Sequence, residues 1–165
     1  MIKMDLQKMP RVGDLAPDFE LPDDAGKMLR LSDLCLERVV LLLFYPADFG
    51  MICSIQMGEL RDINEEFLAA GVMVLPLGTN SIRSHAAWKE AMRLPFPLLA
   101  DEDARVTREW NMACDDDDLL RNRACRGAFI IDRKRIVRYR WIPPTPHQGP
   151  DVPSLLREST AIAKR

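Results

Sequence analysis

Residues 39–53, VVLLLFYPADFGMIC, decide the fold of this chain. The run from Val39 to Tyr45 is continuously apolar and prone to form β structure, which predicts a central strand covered on both faces. Pro46 ends that strand. Beyond it, apolar residues from Ile52 to Phe67 recur at helical spacing and predict an amphipathic helix. Cys53 is therefore expected in the first turn of a helix that begins directly after a buried strand.

That position favours a reactive cysteine. In the first turn of a helix, unpaired backbone N–H groups and the positive end of the helix dipole stabilise an anion. Cysteine thiols at helix N-termini lose their proton more easily than a free thiol does, and the thiolate is the nucleophilic form. Cys53 is therefore the candidate nucleophile of this chain.

The other three cysteines, Cys35, Cys114 and Cys125, have no comparable setting. No Cys-x-x-Cys pair occurs and the chain has only two histidines, so neither a zinc site nor a cofactor is expected. Without a secretion signal a disulfide framework is not expected either, and these residues are predicted to be reduced thiols that fill the core as small hydrophobic side chains.

The rest of the chain predicts an α/β domain. A second buried strand is expected at Val72–Leu77, and Asn80 or Ser81 would cap the helix that follows it. Strands at Gly127–Ile131 and Ile136–Trp141 would form a hairpin. Together these elements predict one thioredoxin-like domain over residues 1–165, with a mixed central β-sheet flanked by helices. Residues 143–165 would be a proline-rich connector and a short terminal helix.

Composition excludes several classes of function. The chain has 165 residues with 23 basic and 25 acidic side chains, a net charge of −2, which argues against a nucleic-acid binder. Its longest apolar run, Val39–Tyr45, is far shorter than the roughly 20 residues that a membrane span needs. The first ten residues carry no signal-peptide pattern. A cytoplasmic protein without membrane or nucleic-acid partners is therefore expected.

Several segments resemble one known family. Pro46 and Cys53 match both ends of the active-site motif of the peroxiredoxins, the alkyl hydroperoxide reductase/thiol-specific antioxidant family, and the flanking FYPADF matches closely. Further similar segments occur in family order over about residues 11–142. They are GDLAPDF (13–19), which resembles the opening strand of the family, LSDL (31–34), SHAAW (84–88), FPLLAD (96–101) and RGAFIID (126–132).

The resemblance implies a thiol-dependent peroxidase. Cys53 would be the peroxidatic cysteine, whose thiolate attacks hydrogen peroxide or an organic hydroperoxide and becomes a sulfenic acid. Arg126 would stabilise the thiolate and orient the peroxide, and Pro46 would shield the site from water. The implied partners are a peroxide substrate and a thiol reductant, such as thioredoxin or a low-molecular-weight thiol. Members of this family commonly form homodimers, so a homodimer is expected here.

Two positions depart from the family pattern. Gly50 stands where the family places a threonine or serine hydroxyl, and Gln56 stands where it often places a glutamate. Loss of one preorganised donor costs on the order of 10²–10³ in rate in other enzymes. Ser54, or a water beside Gly50, is a candidate substitute for the missing hydroxyl. These departures motivate an alternative hypothesis, a catalytically impaired member of the fold that acts as a redox sensor or binding module.

No cysteine stands at a resolving position of the family. The residue five positions after Cys53 is Gly58, and no cysteine follows Cys125. A one-cysteine mechanism, in which an external thiol reduces the sulfenic acid, is therefore favoured, with Cys125 and Cys114 kept as candidate resolving residues. A thiol–disulfide oxidoreductase is a weaker alternative, because the chain lacks Cys-x-x-Cys.

Two other features have an ordinary interpretation. The run Asp115–Asp118 lacks the spacing of a calcium loop and is expected to be a solvated surface loop rather than a cation site. His85 is expected to be a packed or capping histidine rather than a ligand or a catalytic base.

Overall fold

The computed structural model describes residues 5–114, 121–145 and 148–165. The predicted acidic loop at Asp115–Asp118 lies outside these residues. The strands are β1 (Glu20–Pro22), β2 (Met28–Arg30), β3 (Val39–Phe44), β4 (Val72–Gly78), β5 (Leu99–Ala100), β6 (Gly127–Ile131) and β7 (Val137–Trp141). The helices are α1 (Leu31–Glu37), α2 (Met51–Asp62), α3 (Asn64–Ala69), α4 (Ile82–Met92), α5 (Arg105–Glu109) and α6 (Val152–Ala163).

The central sheet has the strand order β5-β4-β3-β6-β7. β3 pairs in parallel with β4 and antiparallel with β6, while β1 and β2 form a separate hairpin. Every residue of β3 is buried, which confirms the prediction of a central strand covered on both faces. The predicted α/β architecture, with a mixed sheet between helices, is therefore confirmed.

Alternation along β3 divides the core into two layers, because successive side chains of a strand point to opposite faces. Val40, Leu42 and Phe44 pack with α1 and α5 on one face of the sheet. Leu43 and Tyr45 pack on the other face, where the core includes residues of α2, α3, α4 and α6. Cys53 belongs to this second layer, called here the α2 face.

The helix predicted from Ile52 to Phe67 is two helices. Ile63 has φ −116° and ψ 16°, which interrupts the helix between α2 and α3. Phe67 nevertheless stays fully buried, so the apolar periodicity continues across the break and hides it from sequence analysis. The predicted cap of α4 is confirmed, since the Ser81 hydroxyl accepts a hydrogen bond of 3.1 Å from the Ser84 backbone N–H.

The predicted opening strand at residues 13–19 is wrong. Only one bridge forms there, between Leu15 and Ile136, and the chain then continues to the β1–β2 hairpin. Pro17 has no backbone N–H to donate, which is a physical reason for the segment not to extend into a ladder.

The predicted state of two cysteines is also wrong. Cys114 and Cys125 form a disulfide, with their Cα atoms 5.2 Å apart, whereas Cys35 and Cys53 are free. The pair meets because a β-bridge between Ala113 and Ala124 brings the two flanking segments side by side. A separation of 11 residues in sequence gave no sign of this pairing.

The described residues contain neither a membrane-spanning helix nor a metal-binding cluster. No helix in this part of the chain is long and apolar enough to cross a membrane. Across the same ranges, no group of three or more His, Cys, Asp or Glu side chains is arranged to hold a metal ion.

Candidate active site

The loop between β3 and α2 places Cys53 in the first turn of α2. Gly50 is the N-cap of that helix, with φ −64° and ψ 144°, and its carbonyl accepts a hydrogen bond of 2.8 Å from the Ser54 backbone N–H. Phe49, directly before the cap, has φ 62°, a conformation that a bulky side chain rarely adopts. Cys53 is buried, so its sulfur lies beneath the surface at the positive end of the helix dipole.

Arg126 contacts the sulfur directly. Its Nη1 donates a hydrogen bond of 3.2 Å to Cys53 Sγ, and the two side chains are buried, with exposures of 7% and 3%. Because a guanidinium is always charged and presents several donors, it can stabilise both a thiolate and the anion that forms when a peroxide bond breaks. The structure thus brings together the two residues that the sequence assigned to the chemical step.

The charge of Arg126 has no carboxylate partner among the described residues. Its Nε is buried without a hydrogen-bond partner, and so is Oε1 of the buried Gln56. Gln56 is neutral, so it cannot compete with the sulfur for the charge of the guanidinium. A buried cation is stabilised by a nearby electron-rich group, and Cys53 Sγ is the group that Arg126 contacts among the described side chains.

Sequence analysis missed a hydrogen-bond network centred on Asp48. The buried Asp48 carboxylate accepts from the Tyr45 hydroxyl at 2.7 Å and from the Ser84 hydroxyl at 2.8 Å, and lies 2.7 Å from His85 Nδ1. The Asp48 backbone N–H donates to Asn80 Oδ1 at 3.0 Å. These bonds tie the active-site loop to the region around the start of α4, so the loop has a fixed position relative to the sheet.

His85 has a structural role in this network. The ring is fully buried, and its Nε2 lies 3.0 Å from the carbonyl oxygen of Leu99. A carbonyl oxygen only accepts, so Nε2 carries a hydrogen. With Nδ1 against Asp48, both ring nitrogens are occupied, which agrees with the prediction of a packed histidine.

Tyr45 is held in its protonated form. Burial raises the pKa of the Tyr45 phenol well above its usual value, and the nearby Asp48 carboxylate and Cys53 sulfur raise it further. The hydroxyl therefore remains a donor to Asp48 at any pH at which the protein would work.

The remaining candidate side chains lie around this centre with less contact. The Pro46 carbonyl accepts a hydrogen bond of 3.3 Å from Arg123 Nη1, while its ring is partly exposed. No hydrogen bond joins the Ser54 hydroxyl to the sulfur within the described part of the chain. Cys125 is bonded to Cys114, and Cys53 is a free thiol.

Gly50 offers a direct test of the missing hydroxyl. A Cβ at position 50 would lie 3.6 Å from Cys53 Sγ and 3.3 Å from the Ala47 carbonyl oxygen, and the backbone conformation suits a non-glycine residue. We expect Gly50→Thr to raise the rate of Cys53 oxidation by peroxide by about tenfold or more, because it adds a donor beside the sulfur. Gly50→Val is the matched control, since it has the same shape without the hydroxyl. Equal stopped-flow rates for the two variants would contradict the prediction.

Comparison with known proteins agrees with this geometry. The model of the AhpC/TSA family matches residues 12–140, which include β3, the active-site loop, α2 and Arg126. The chain belongs to this family. Peroxiredoxins are its members, so the resemblance inferred from the sequence motifs is confirmed.

Individual peroxiredoxins match over most of this chain. The putative peroxiredoxin bcp of Coxiella burnetii is 34% identical over 132 residues, which cover 79% of this chain and 87% of that protein. The chloroplastic peroxiredoxin Q of Triticum aestivum is 36% identical over 127 residues, covering 77% of this chain. The match spans 57% of the wheat protein, which is therefore considerably longer.

A solved structure supports the fold in three dimensions. The crystal structure of peroxidoxin BcpB from Mycobacterium tuberculosis matches this peroxiredoxin with a TM-score of 0.81 at 29% identity, over 93% of this chain and 98% of that one. The predicted thioredoxin-like fold is thus confirmed, as is the prediction of a thiol-dependent peroxidase.

Proposed function

We propose that this peroxiredoxin reduces hydrogen peroxide or organic hydroperoxides through Cys53, with Arg126 as its electrostatic partner. The observation that carries the proposal is the 3.2 Å hydrogen bond from Arg126 Nη1 to Cys53 Sγ at the start of α2. Pro46 shapes the loop that leads into this helix, and the Asp48 network fixes the position of that loop.

The chemical step follows from these positions. The Cys53 thiolate attacks the terminal oxygen of ROOH, an S–O bond forms and the O–O bond breaks. The departing alkoxide takes a proton and leaves as ROH, while Cys53 becomes a sulfenic acid. Arg126 stabilises the negative charge as it moves from sulfur to the leaving oxygen, because its guanidinium stays charged throughout.

A one-cysteine mechanism is supported by the placement of the other cysteines. Cys35 packs on the face of the sheet opposite Cys53, so the sheet lies between the two sulfurs. Burial raises the pKa of the Cys35 thiol to about 12, which leaves it protonated and unreactive. Cys114 and Cys125 are bonded to each other. Thioredoxin, or two molecules of a low-molecular-weight thiol, would then reduce the sulfenic acid to the thiol; two reductant thiols become a disulfide and water is released.

We also propose that the protein works in the cytoplasm, where thiol reductants are abundant, and that it forms a homodimer. Beside the site, Phe49, Met51 and Ile55 expose 58%, 78% and 59% of their surfaces, an apolar area that a second copy would cover. Sedimentation velocity tests this part of the proposal: a monomer at micromolar concentration would contradict it.

The function is tested by peroxide consumption with different reductants. The protein is mixed with hydrogen peroxide or cumene hydroperoxide and either a thioredoxin system, glutathione or dithiothreitol. We expect catalytic consumption with at least one reductant, at a rate proportional to protein concentration. Absence of turnover with every combination would contradict the proposal.

A second candidate function is a redox sensor or binding module with impaired catalysis. Gly50 favours it, because glycine carries no hydroxyl where the family places one, and among the described residues no side-chain hydroxyl is hydrogen-bonded to Cys53 Sγ. A sensor would form the Cys53 sulfenic acid in one turnover, but the sulfenic acid would be reduced too slowly for continuous consumption of peroxide. Comparing the oxidation rate with the reduction rate separates the two functions.

A further inference from the structure

The geometry points to the Cys114–Cys125 disulfide as the device that positions Arg126 against Cys53, and so as a determinant of peroxidase reactivity. This inference rests on the proposed function. The disulfide does not touch the sulfur of Cys53. It acts through the backbone segment that carries the arginine.

Arg126 lies just beyond the central sheet. Gly127, the first residue of β6, pairs with Phe44 of β3, and the pairing of β6 with β7 begins one residue later, at Ala128. Neither ladder therefore includes the backbone of Arg126. A separate contact must fix the direction in which this residue leaves the sheet.

That contact is a short two-stranded ladder with the disulfide at its end. The Cys114 N–H donates to the Arg123 carbonyl at 2.9 Å, and the Cys125 N–H donates to the Met112 carbonyl at 2.6 Å. Ala113 and Ala124 form the bridge between these bonds. The disulfide adds a covalent link directly before Arg126, beside the two backbone hydrogen bonds that pair the segments.

The guanidinium depends on this backbone because little else holds it. Cys53 Sγ is the one hydrogen-bond partner that Arg126 has among the described side chains, and its buried Nε has none. Arg123, in the same segment, holds the active-site loop through the Pro46 carbonyl at 3.3 Å. A shift of residues 123–126 would therefore move both arginine contacts at once.

The disulfide stands next to the arginine in the chain. Cys125 directly precedes Arg126, whose Nη1 donates to Cys53 Sγ. While its sulfur is bonded to Cys114, Cys125 offers no thiol to Cys53, but the bond fixes the backbone next to Arg126.

The consequence is two forms of the protein with different reactivity. A dithiol reductant converts the disulfide into two thiols, and two electrons and two protons pass from the dithiol, which itself becomes a disulfide. Both sulfurs lie in buried residues, so this reduction is expected to be slow and the two forms can be prepared separately. The oxidised form would hold Arg126 in place, and the reduced form would leave it mobile.

The test measures the second-order rate of Cys53 oxidation by hydrogen peroxide in single-turnover stopped-flow experiments. It compares the disulfide form, the fully reduced protein after removal of reductant, and the Cys114→Ser/Cys125→Ser variant. We expect both forms without the disulfide to react at least about tenfold more slowly, because displacement of a catalytic group by about 1 Å can cost 10²-fold. The reduced wild-type protein keeps the test valid if the serine variant folds poorly.

A double-mutant cycle separates positioning from a general effect on the fold. In an Arg126→Met background, loss of the disulfide should slow oxidation far less than it does with Arg126 present, since only the Arg123 contact is left to be displaced. The inference would be overturned if loss of the disulfide slowed oxidation by the same factor with Arg126 and with Met at position 126. It would also be overturned if, with Arg126 present, the disulfide form, the reduced protein and the serine variant were oxidised at equal rates. If the disulfide form itself reacts no faster than a free thiol, the proposed function fails with it.

Discussion

The Cys53→Ser variant is expected to lose all peroxide turnover and to form no sulfenic acid. Serine has nearly the same size and keeps the hydrogen-bonding geometry at the start of α2, so the fold should survive. Its hydroxyl is not ionised near neutral pH and cannot replace the thiolate as nucleophile. The measurement is steady-state consumption of hydrogen peroxide with a thiol reductant, together with the mass of the intact protein after exposure to peroxide.

Cys35→Ser provides the matched control for this variant. Cys35 is the other free cysteine; it is equally buried but lies on the opposite face of the sheet, with its pKa raised to about 12 by burial. We expect its replacement to leave turnover unchanged. Residual turnover in Cys53→Ser, or loss of turnover in Cys35→Ser, would contradict the assignment of the nucleophile.

The Arg126→Met variant is expected to slow the oxidation of Cys53 by about 10²–10³-fold, the usual cost of removing one preorganised donor from a developing negative charge. The physical reason is that Arg126 is buried and donates directly to Sγ. The oxidation rate of Arg126→Lys should fall between those of Arg126→Met and the wild type, because lysine keeps the charge but presents a single ammonium group. Stopped-flow measurement of the second-order rate constant tests both.

Arg123→Met is the matched control for Arg126, since it removes an arginine from the same segment. Arg123 binds the Pro46 carbonyl and does not touch the sulfur, so its loss should cost less than about tenfold. If the Arg123 and Arg126 variants slow Cys53 oxidation by the same factor, the effect comes from the segment as a whole rather than from the guanidinium at the sulfur.

Local patterns predicted the parts of the fold that depend on neighbouring residues. The continuous apolar run that ends at Pro46 was enough to place β3, and the helical spacing after it placed Cys53 in the first turn of α2. The contact between Arg126 and Cys53 was implied by the resemblance to the peroxiredoxins rather than by a local pattern. The interruption of the helix at Ile63 was not predicted, because the apolar periodicity continues through it.

Parts of the site that depend on distant residues could not be predicted in the same way. Asp48 follows β3 and His85 follows β4, and they meet because the two strands are parallel neighbours whose carboxyl ends share one edge of the sheet. The polar residues that follow both strands were the sequence feature that could have indicated this contact. The Cys114–Cys125 disulfide carried no such signal, because its formation depends on the bridge between Ala113 and Ala124.

Every proposed step depends on Cys53 being an activated peroxidatic cysteine. The most direct test is the single-turnover rate constant for oxidation of Cys53 by hydrogen peroxide, combined with mass spectrometry of the intact protein. We expect a rate at least about 10²-fold above that of a free thiol, because the nucleophile has a preorganised electrostatic partner, and a mass gain of one oxygen atom located on Cys53. A rate equal to that of a free thiol, or oxidation at another residue, would contradict it.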